Sequence, residues 1–219
     1  MARPRLALII PAFNEEKTIR KVINEVINYG LPIVVDDGSS DDTARIAIES
    51  GAIVISHGQN RGYDQALNSG FAEAHSLGIE VIMTFDADGQ HSAALIHEFL
   101  SAINAGADVV IGVRNRQARL SETIFAWVAS ILWDIRDPLC GMKAYRSEVY
   151  RELGHFDSYN SIGTELCIFA QRSDFNIIEI PFDVKERIDN PRFGSLLRAN
   201  LKIFRAIFLG LAKSILTKV

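Results

Sequence analysis

Residues 6–40 read LALIIPAFNEEKTIRKVINEVINYGLPIVVDDGSS, and the fold follows from how this stretch is parsed. Leu6-Ala7-Leu8-Ile9-Ile10 is a continuous apolar run with no polar alternation, which suits a strand buried on both faces and closed by Pro11. Asn14 can cap a helix whose first turn carries Glu15 and Glu16. Ile19, Val22, Ile23, Val26 and Ile27 then repeat with helical period until Gly30. Ile33-Val34-Val35 is a second buried strand, and Asp36-Asp37-Gly38-Ser39-Ser40 is the turn beyond it. A buried strand, an amphipathic helix and a second buried strand make a β-α-β unit, which calls for a parallel sheet.

The alternation continues outward from that unit. Helices are expected at about 42–50, 64–77 and from 92 to 105, with strands at 53–55, 81–85 and 109–111. Beyond residue 112 the pattern loosens. An amphipathic helix is expected near 121–135, a turn at 137–141, short helices near 147–153 and 164–172, and a strand at 177–180 ended by Pro181. The expected architecture is a single α/β domain with a mostly parallel central sheet and helices on both faces. Residues 1–194 would form that domain, with a nucleotide-binding half at 1–112 and an acceptor half at 113–194; residues 195–219 would form a basic amphipathic helix.

Composition narrows the function. The chain has 219 residues, 48% of them hydrophobic and 23% charged, which excludes a disordered chain. The net charge of −4 gives no basic face of the kind a dedicated nucleic-acid binder carries. Cys140 and Cys167 are too few for a disulfide framework, so a reducing compartment is expected. The N-terminal apolar segment is too short for a secretion signal, and no apolar run approaches the ~18 residues of a membrane span. Charge is unevenly placed. Residues 195–219 hold five basic and no acidic residues, leaving 18 basic and 27 acidic residues, net −9, in the rest. In that tail Leu197, Leu201, Phe204, Phe208, Leu211 and Ile215 form one helix face flanked by Arg198, Lys202 and Arg205. Such a helix suits the surface of an anionic membrane, or packing against its own domain or a partner.

Three polar clusters fall at expected carboxyl ends of strands, where open α/β sheets bind ligands. They are Pro11-Ala12-Phe13-Asn14-Glu15, Asp36-Asp37-Gly38-Ser39 and Asp86-Ala87-Asp88-Gly89-Gln90-His91. In the last, two carboxylates and an amide oxygen at alternate positions suit a hard divalent cation that also holds substrate phosphates. In Asn60-Arg61-Gly62-Tyr63-Asp64, the glycine would let the backbone approach a phosphate that Arg61 could neutralise.

These motifs, with Gly112-Val113-Arg114 and Asp137-Pro138-Leu139-Cys140-Gly141-Met142-Lys143, together resemble glycosyltransferase family 2 with the GT-A fold. The resemblance is greatest to the polyprenyl-phosphate sugar transferases of the dolichol-phosphate mannosyltransferase type, and it runs in order over about 145 residues. It implies that Pro11, Phe13, Glu15, Asp37, Arg61 and Asp86 hold a GDP- or UDP-sugar. It implies that Asp86, Asp88 and Gln90 bind Mg²⁺ or Mn²⁺, and that Asp137, Arg114 and Asp88 serve the reacting centre. Arg119, Arg187, Arg192 and Ser195 are the expected acceptor-phosphate residues. The family's Arg followed by Gly-x-Ser-Lys is altered here, where residues 187–196 read RIDNPRFGSL.

The implied activity is inverting, metal-dependent transfer of a sugar to a polyprenyl phosphate by an enzyme peripheral at the cytoplasmic face of the membrane. Transfer to a glycan hydroxyl is the alternative, and it would need a carboxylate base for which Asp137 and Glu165 are the candidates. A nucleotide-sugar or membrane-binding module without turnover is the non-enzyme alternative. No nucleic acid is expected as a partner; a homo-oligomer or a membrane-protein partner is compatible with the sequence.

Overall fold

In the computed structural model, residues 5–89, 92–115 and 120–183 are described, with Ile203, Arg205, Ala206, Phe208 and Leu209. Seven strands form one sheet: β1 Leu6–Ala12, β2 Leu31–Asp36, β3 Ile53–Ser56, β4 Val81–Thr84, β5 Val109–Arg114, β6 Lys143–Arg146 and β7 Ile177–Phe182. Their order across the sheet is β3-β2-β1-β4-β6-β5-β7. Every pairing is parallel except those of β6, which runs antiparallel between β4 and β5.

Among the described residues, the helices that connect them are α1 Ile19–Val26, α2 Thr43–Glu49, α3 Tyr63–Ser76, α4 Leu95–Asn104, α5 Leu120–Trp133, α6 Ser147–Leu153 and α7 Glu165–Arg172. Alternate residues along each strand serve the two faces. Ala7, Ile9, Ile33, Val35, Ile82 and Ile111 pack with α3, α5, α6 and α7. Leu8, Ile10, Val34, Met83 and Val110 pack with α1, α2 and α4. Both faces are covered, which is why the strands read as unbroken apolar runs.

Local departures from the sequence expectations have physical reasons. Helix α1 starts a turn after Asn14, at Ile19 with Thr18 before it. Asn14 instead takes a left-handed conformation (φ 55°), and its carboxamide accepts the Ser40 amide at 2.8 Å. Strand β1 runs through Pro11 to Ala12. The Ile9 carbonyl accepts from Phe85 on the β4 side, and the Ala12 carbonyl accepts from Asp37 on the β2 side. Alternation therefore aims the Pro11 nitrogen at β4, past the last β1–β4 pair, Ile9 with Thr84, so no ladder bond is lost. Pro181 likewise lies within β7, an edge strand paired only with β5. Strand β6 was not expected from the sequence.

Where α3 crosses β1, Gly70 lies so close to Ile9 that a β-carbon there would land inside the Ile9 side chain. Helix propensity favours Ala over Gly by about 1 kcal/mol, whereas overpacking a filled core costs about 1–3 kcal/mol. Gly70→Ala is therefore expected to lower stability, read as a lower urea midpoint with an unchanged m-value.

Candidate active site

The carboxyl ends of the parallel strands bring the first two polar clusters together and tie them to each other. The Asn14 amide donates to the Ser39 hydroxyl at 2.8 Å, and the Glu15 amide donates to the Thr43 hydroxyl at 2.7 Å. The Glu15 carboxylate accepts the Thr18 hydroxyl at 2.8 Å and is buried. Phe13 stands at the rim, 38% exposed.

Asp37 is the knot of this edge. One of its oxygens accepts from the His57 ring at 2.6 Å and from the Arg61 amide at 2.9 Å; the other accepts the Gly62 amide at 2.7 Å. His57 continues to the Ser69 hydroxyl at 2.9 Å. Gly38 must be glycine twice over: its φ is 78°, and a β-carbon would strike the Gln59–Asn60 backbone. The Asp37 carboxylate, expected from the sequence to hold a nucleotide, is buried and orders the loop that carries Arg61.

Asp86 and Asp88 follow β4 and are half-buried. Asp86 lies against Gly141, where a β-carbon would overlap its carboxylate. Burial raises the Tyr63 hydroxyl well above its ordinary pKa, and Asp86, Asp64, Cys140 and Asp88 add to the effect. Both carboxylates of the motif are therefore near Tyr63. Two carboxylates near Tyr63, one of them in a space kept open by Gly141, are of the kind that Mg²⁺ or Mn²⁺ takes, with one or two carboxylates plus substrate phosphates. Among the described residues no third acidic, His or Cys side chain joins them. Gln90, the expected third ligand, lies outside the described residues.

Arg114, at the end of β5, is gripped by two acids. Its Nε and Nη2 donate to the two oxygens of Asp137 at 2.8 and 2.9 Å, and its Nη1 lies 3.2 Å from Glu122 on α5. Its backbone amide donates to Asp137 as well, at 3.1 Å. Burial would lower the guanidinium pKa, but the hydrogen bonds and charge of Asp137, aided by Cys140 and Glu122, raise it. Asp137 is 1% exposed. Both its oxygens are held by one cation, so it is not poised as a general base.

The other base candidate, Glu165, is similarly engaged. It accepts from the Ser158 amide at 2.5 Å, the Ser158 hydroxyl at 2.9 Å and the His155 ring at 3.2 Å. These bonds fix the loop 155–165, whose Asn160, Ile162 and Gly163 all have positive φ. For β-branched Ile162 that conformation is strained. Asp157 accepts the Ser161 amide at 2.9 Å, the buried Lys143 ammonium donates to the Gly163 carbonyl at 2.9 Å, and the Gly163 amide donates to Asp64 at 2.7 Å. Burial and the nearby Asp157 raise the Asp64 pKa to about 6, against the pull of the Gly163 and Ile162 amides and Lys143. Burial, with Asp137, also pushes the Cys140 thiol to about 12. Both cysteines are free and buried.

The structure thus gathers Pro11, Phe13, Glu15, Asp37 and Arg61 at one end of the sheet edge, Asp86 and Asp88 at its middle, and Arg114 with Asp137 at the β5 end. Arg119, Arg187, Arg192 and Ser195 lie outside the described residues. Sequence reasoning missed His57, Ser69, Glu122, Lys143 and Asp157 as organisers of the site. Their only sequence signal was that of polar residues flanking the motifs.

Comparisons with known proteins agree with this architecture. Residues 7–154 match the family described as Glycosyl transferase family 2, which is more than half of the chain. The chain belongs to that family and is a glycosyltransferase. A dolichyl-phosphate hexose transferase of Haloferax volcanii is 32% identical over 83% of each chain. A UDP-N-acetylglucosamine–dolichyl-phosphate N-acetylglucosaminyltransferase of Methanococcus voltae is 29% identical over 97% of this chain and 99% of its own. A polyprenol monophosphomannose synthase of Mycolicibacterium smegmatis is 30% identical over 84% of this chain and 78% of its own. Among solved structures, the glucosyl-3-phosphoglycerate synthase of Mycobacterium tuberculosis with Mn²⁺, UDP and phosphoglyceric acid superposes with a TM-score of 0.75 at 21% identity. It covers 94% of this chain and 78% of that one. The fold is that of the GT-A glycosyltransferases.

Two outcomes follow from the site. A carboxylate with a raised folded pKa binds more protons folded than unfolded, so its contribution to stability falls as pH rises from about 4 to about 6. Asp64→Asn keeps an oxygen for the Gly163 amide and removes the buried charge. The fall in unfolding temperature of wild type across that window should be smaller in the variant. Asp37→Ala strands the Arg61 and Gly62 amides, and should cost about 2–4 kcal/mol in denaturant unfolding.

Proposed function

We propose that the protein transfers a sugar from a nucleoside-diphosphate sugar, GDP- or UDP-linked, to a phosphate oxygen of a polyprenyl phosphate, with inversion at the anomeric carbon. The observation that carries this reading is the grip of Arg114 on both oxygens of Asp137. A hydroxyl acceptor needs a carboxylate to take its proton, and Asp137 and Glu165 are both committed to other partners. A phosphate acceptor is an oxyanion already and needs no base. The relatives at 29–32% identity bear names that point to dolichyl-phosphate or polyprenol acceptors.

In this reading Pro11, Phe13, Glu15 and Arg61 seat the donor nucleotide, and Asp37 orders the loop that brings Arg61 to it. Asp86 and Asp88, with Gln90, hold Mg²⁺ or Mn²⁺. The divalent cation supplies neutralisation of the charge that develops on the leaving nucleoside diphosphate. The described carboxylates beside Arg114, Asp137 and Glu122, are engaged by it, and displacement in one step inverts the sugar. Arg119, Arg187, Arg192 and Ser195 receive the acceptor phosphate.

Residues 1–194 act as the catalytic domain and residues 195–219 hold it to the cytoplasmic face of an anionic membrane. In that tail Ile203 and Ala206 are buried in the core, while Phe208, on the apolar stripe, is 71% exposed. The stripe thus faces away from the domain at that point. No helix among the described residues is long and apolar enough to cross a membrane.

Incubation with a radiolabelled nucleotide sugar and a prenyl phosphate should move label into the organic phase, and the product should carry the anomeric configuration opposite to the donor's. Water-soluble glycoside as the sole product would overturn the acceptor assignment. Asp88→Ala should fold normally and lower turnover by on the order of 10²–10³. Chelation of divalent cations should abolish turnover, and Mn²⁺ or Mg²⁺ should restore it.

A further inference from the structure

Helix α5 has two apolar faces. Phe125, Ala129 and Trp133 are buried in the same core cluster as Ile203 and Ala206. On the outward side Leu120, Ile124, Trp127 and Ile131, spaced four, three and four residues apart, form a stripe, with Leu132 beside it. Leu120 is 77% exposed, Trp127 66% and Ile131 62%. The single charged residue of α5, Glu122, is buried against Arg114. The outward face therefore carries no charge to hydrate. A helix apolar all round is not made to face water, and a contiguous exposed apolar stripe marks an interaction surface.

We infer that α5 docks on an anionic lipid surface, its Leu120–Ile131 stripe lying in the boundary between headgroups and acyl chains beside the active site. The inference rests on the polyprenyl-phosphate reading. A lipid acceptor keeps its chain in the membrane while its phosphate reaches the site, so the protein surface next to the site must meet the membrane. Glu122 ties α5 to Arg114, which places the stripe on the helix that borders that site. Charge fits as well. From Val109 to Ser121 the chain has no acidic residue, and Arg116 and Arg119 immediately precede the stripe, complementary to anionic headgroups. Trp127, an amphipathic ring at the centre of the stripe, suits the headgroup level. The stripe lies on a different helix from the exposed Phe208.

The test uses the full chain with vesicles of equal parts phosphatidylglycerol and phosphatidylcholine. Tryptophan emission should shift to the blue on vesicle binding, and Trp127→Phe should remove that shift, because the other tryptophan, Trp133, is already buried. Trp127→Ser with Ile131→Ser changes only exposed positions. It should weaken vesicle co-sedimentation by about tenfold or more and lower transfer to a long-chain prenyl phosphate in those vesicles by a similar factor. Transfer to a short-chain prenyl phosphate dissolved in water should be unchanged. Wild-type emission that ignores vesicles, or a double variant that sediments with them as wild type does, would overturn the inference. So would a wild-type dimer that the double variant converts to monomer, since a second copy would then cover the stripe. The soluble assay separates the two readings: wild type that transfers to short-chain prenyl phosphate without binding vesicles contradicts only the docking surface. Wild type that binds vesicles through α5 but transfers to no prenyl phosphate supports docking and contradicts the acceptor.

Discussion

The ion pair between Arg114 and Asp137 is the constraint on which the second half of the molecule depends. It closes the end of β5 onto the turn that leads into β6, and through Glu122 it also seats α5. Two acids around one guanidinium in a nearly dry setting are not worth much as net stabilisation, because desolvation offsets most of the attraction. Breaking such a pair is another matter: an orphaned buried charge costs about 3–5 kcal/mol. The arrangement therefore specifies geometry more than it adds stability. It also engages both oxygens of Asp137, the carboxylate to which the proposed function gives no proton-accepting role.

The reversed strand β6 has a comparable role at the centre. It carries Lys143 into the interior, where the ammonium holds the Gly163 carbonyl, and it follows Gly141, which leaves space for Asp86. The same few residues that insert β6 between β4 and β5 thus shape the proposed metal cradle and pin the strained loop at 160–163. On the opposite side of the edge, Asp37 gathers His57, Arg61 and Gly62 from the loop between β3 and α3. The site is pre-organised by buried polar groups that each satisfy several donors, which suits stabilising charge in a transition state.

Much of this was legible in the sequence. Apolar runs such as Leu6–Ile10 and Val81–Met83 announced strands buried on both faces, and the helices between them followed from period. The motif clusters fell at the correct strand ends because parallel topology leaves them no other place. What the sequence did not show depends on partners remote along the chain. Lys143–Arg146 begins and ends with a cation and is four residues long, so nothing marked it as a central strand. Asn14 has the chemistry of a cap, yet Ser39 and Ser40 competed for it and won. Asp137 and Glu165 could both be read as bases until their partners, 23 residues away for one and within ten for the other, were seen to occupy them. Prolines 11 and 181 looked like strand ends because the direction in which each missing N–H would point is a property of the sheet.

The central claim is that the nucleophile is a phosphate oxygen and that no side chain must deprotonate it. Phosphorus-31 NMR of a reaction containing a nucleotide sugar and a short-chain prenyl phosphate reads this directly. The account predicts that the acceptor's phosphomonoester resonance is converted to a phosphodiester in step with release of nucleoside diphosphate. Release of nucleoside diphosphate with sugar transfer to a hydroxyl acceptor, while the monoester resonance stays unchanged, would contradict it.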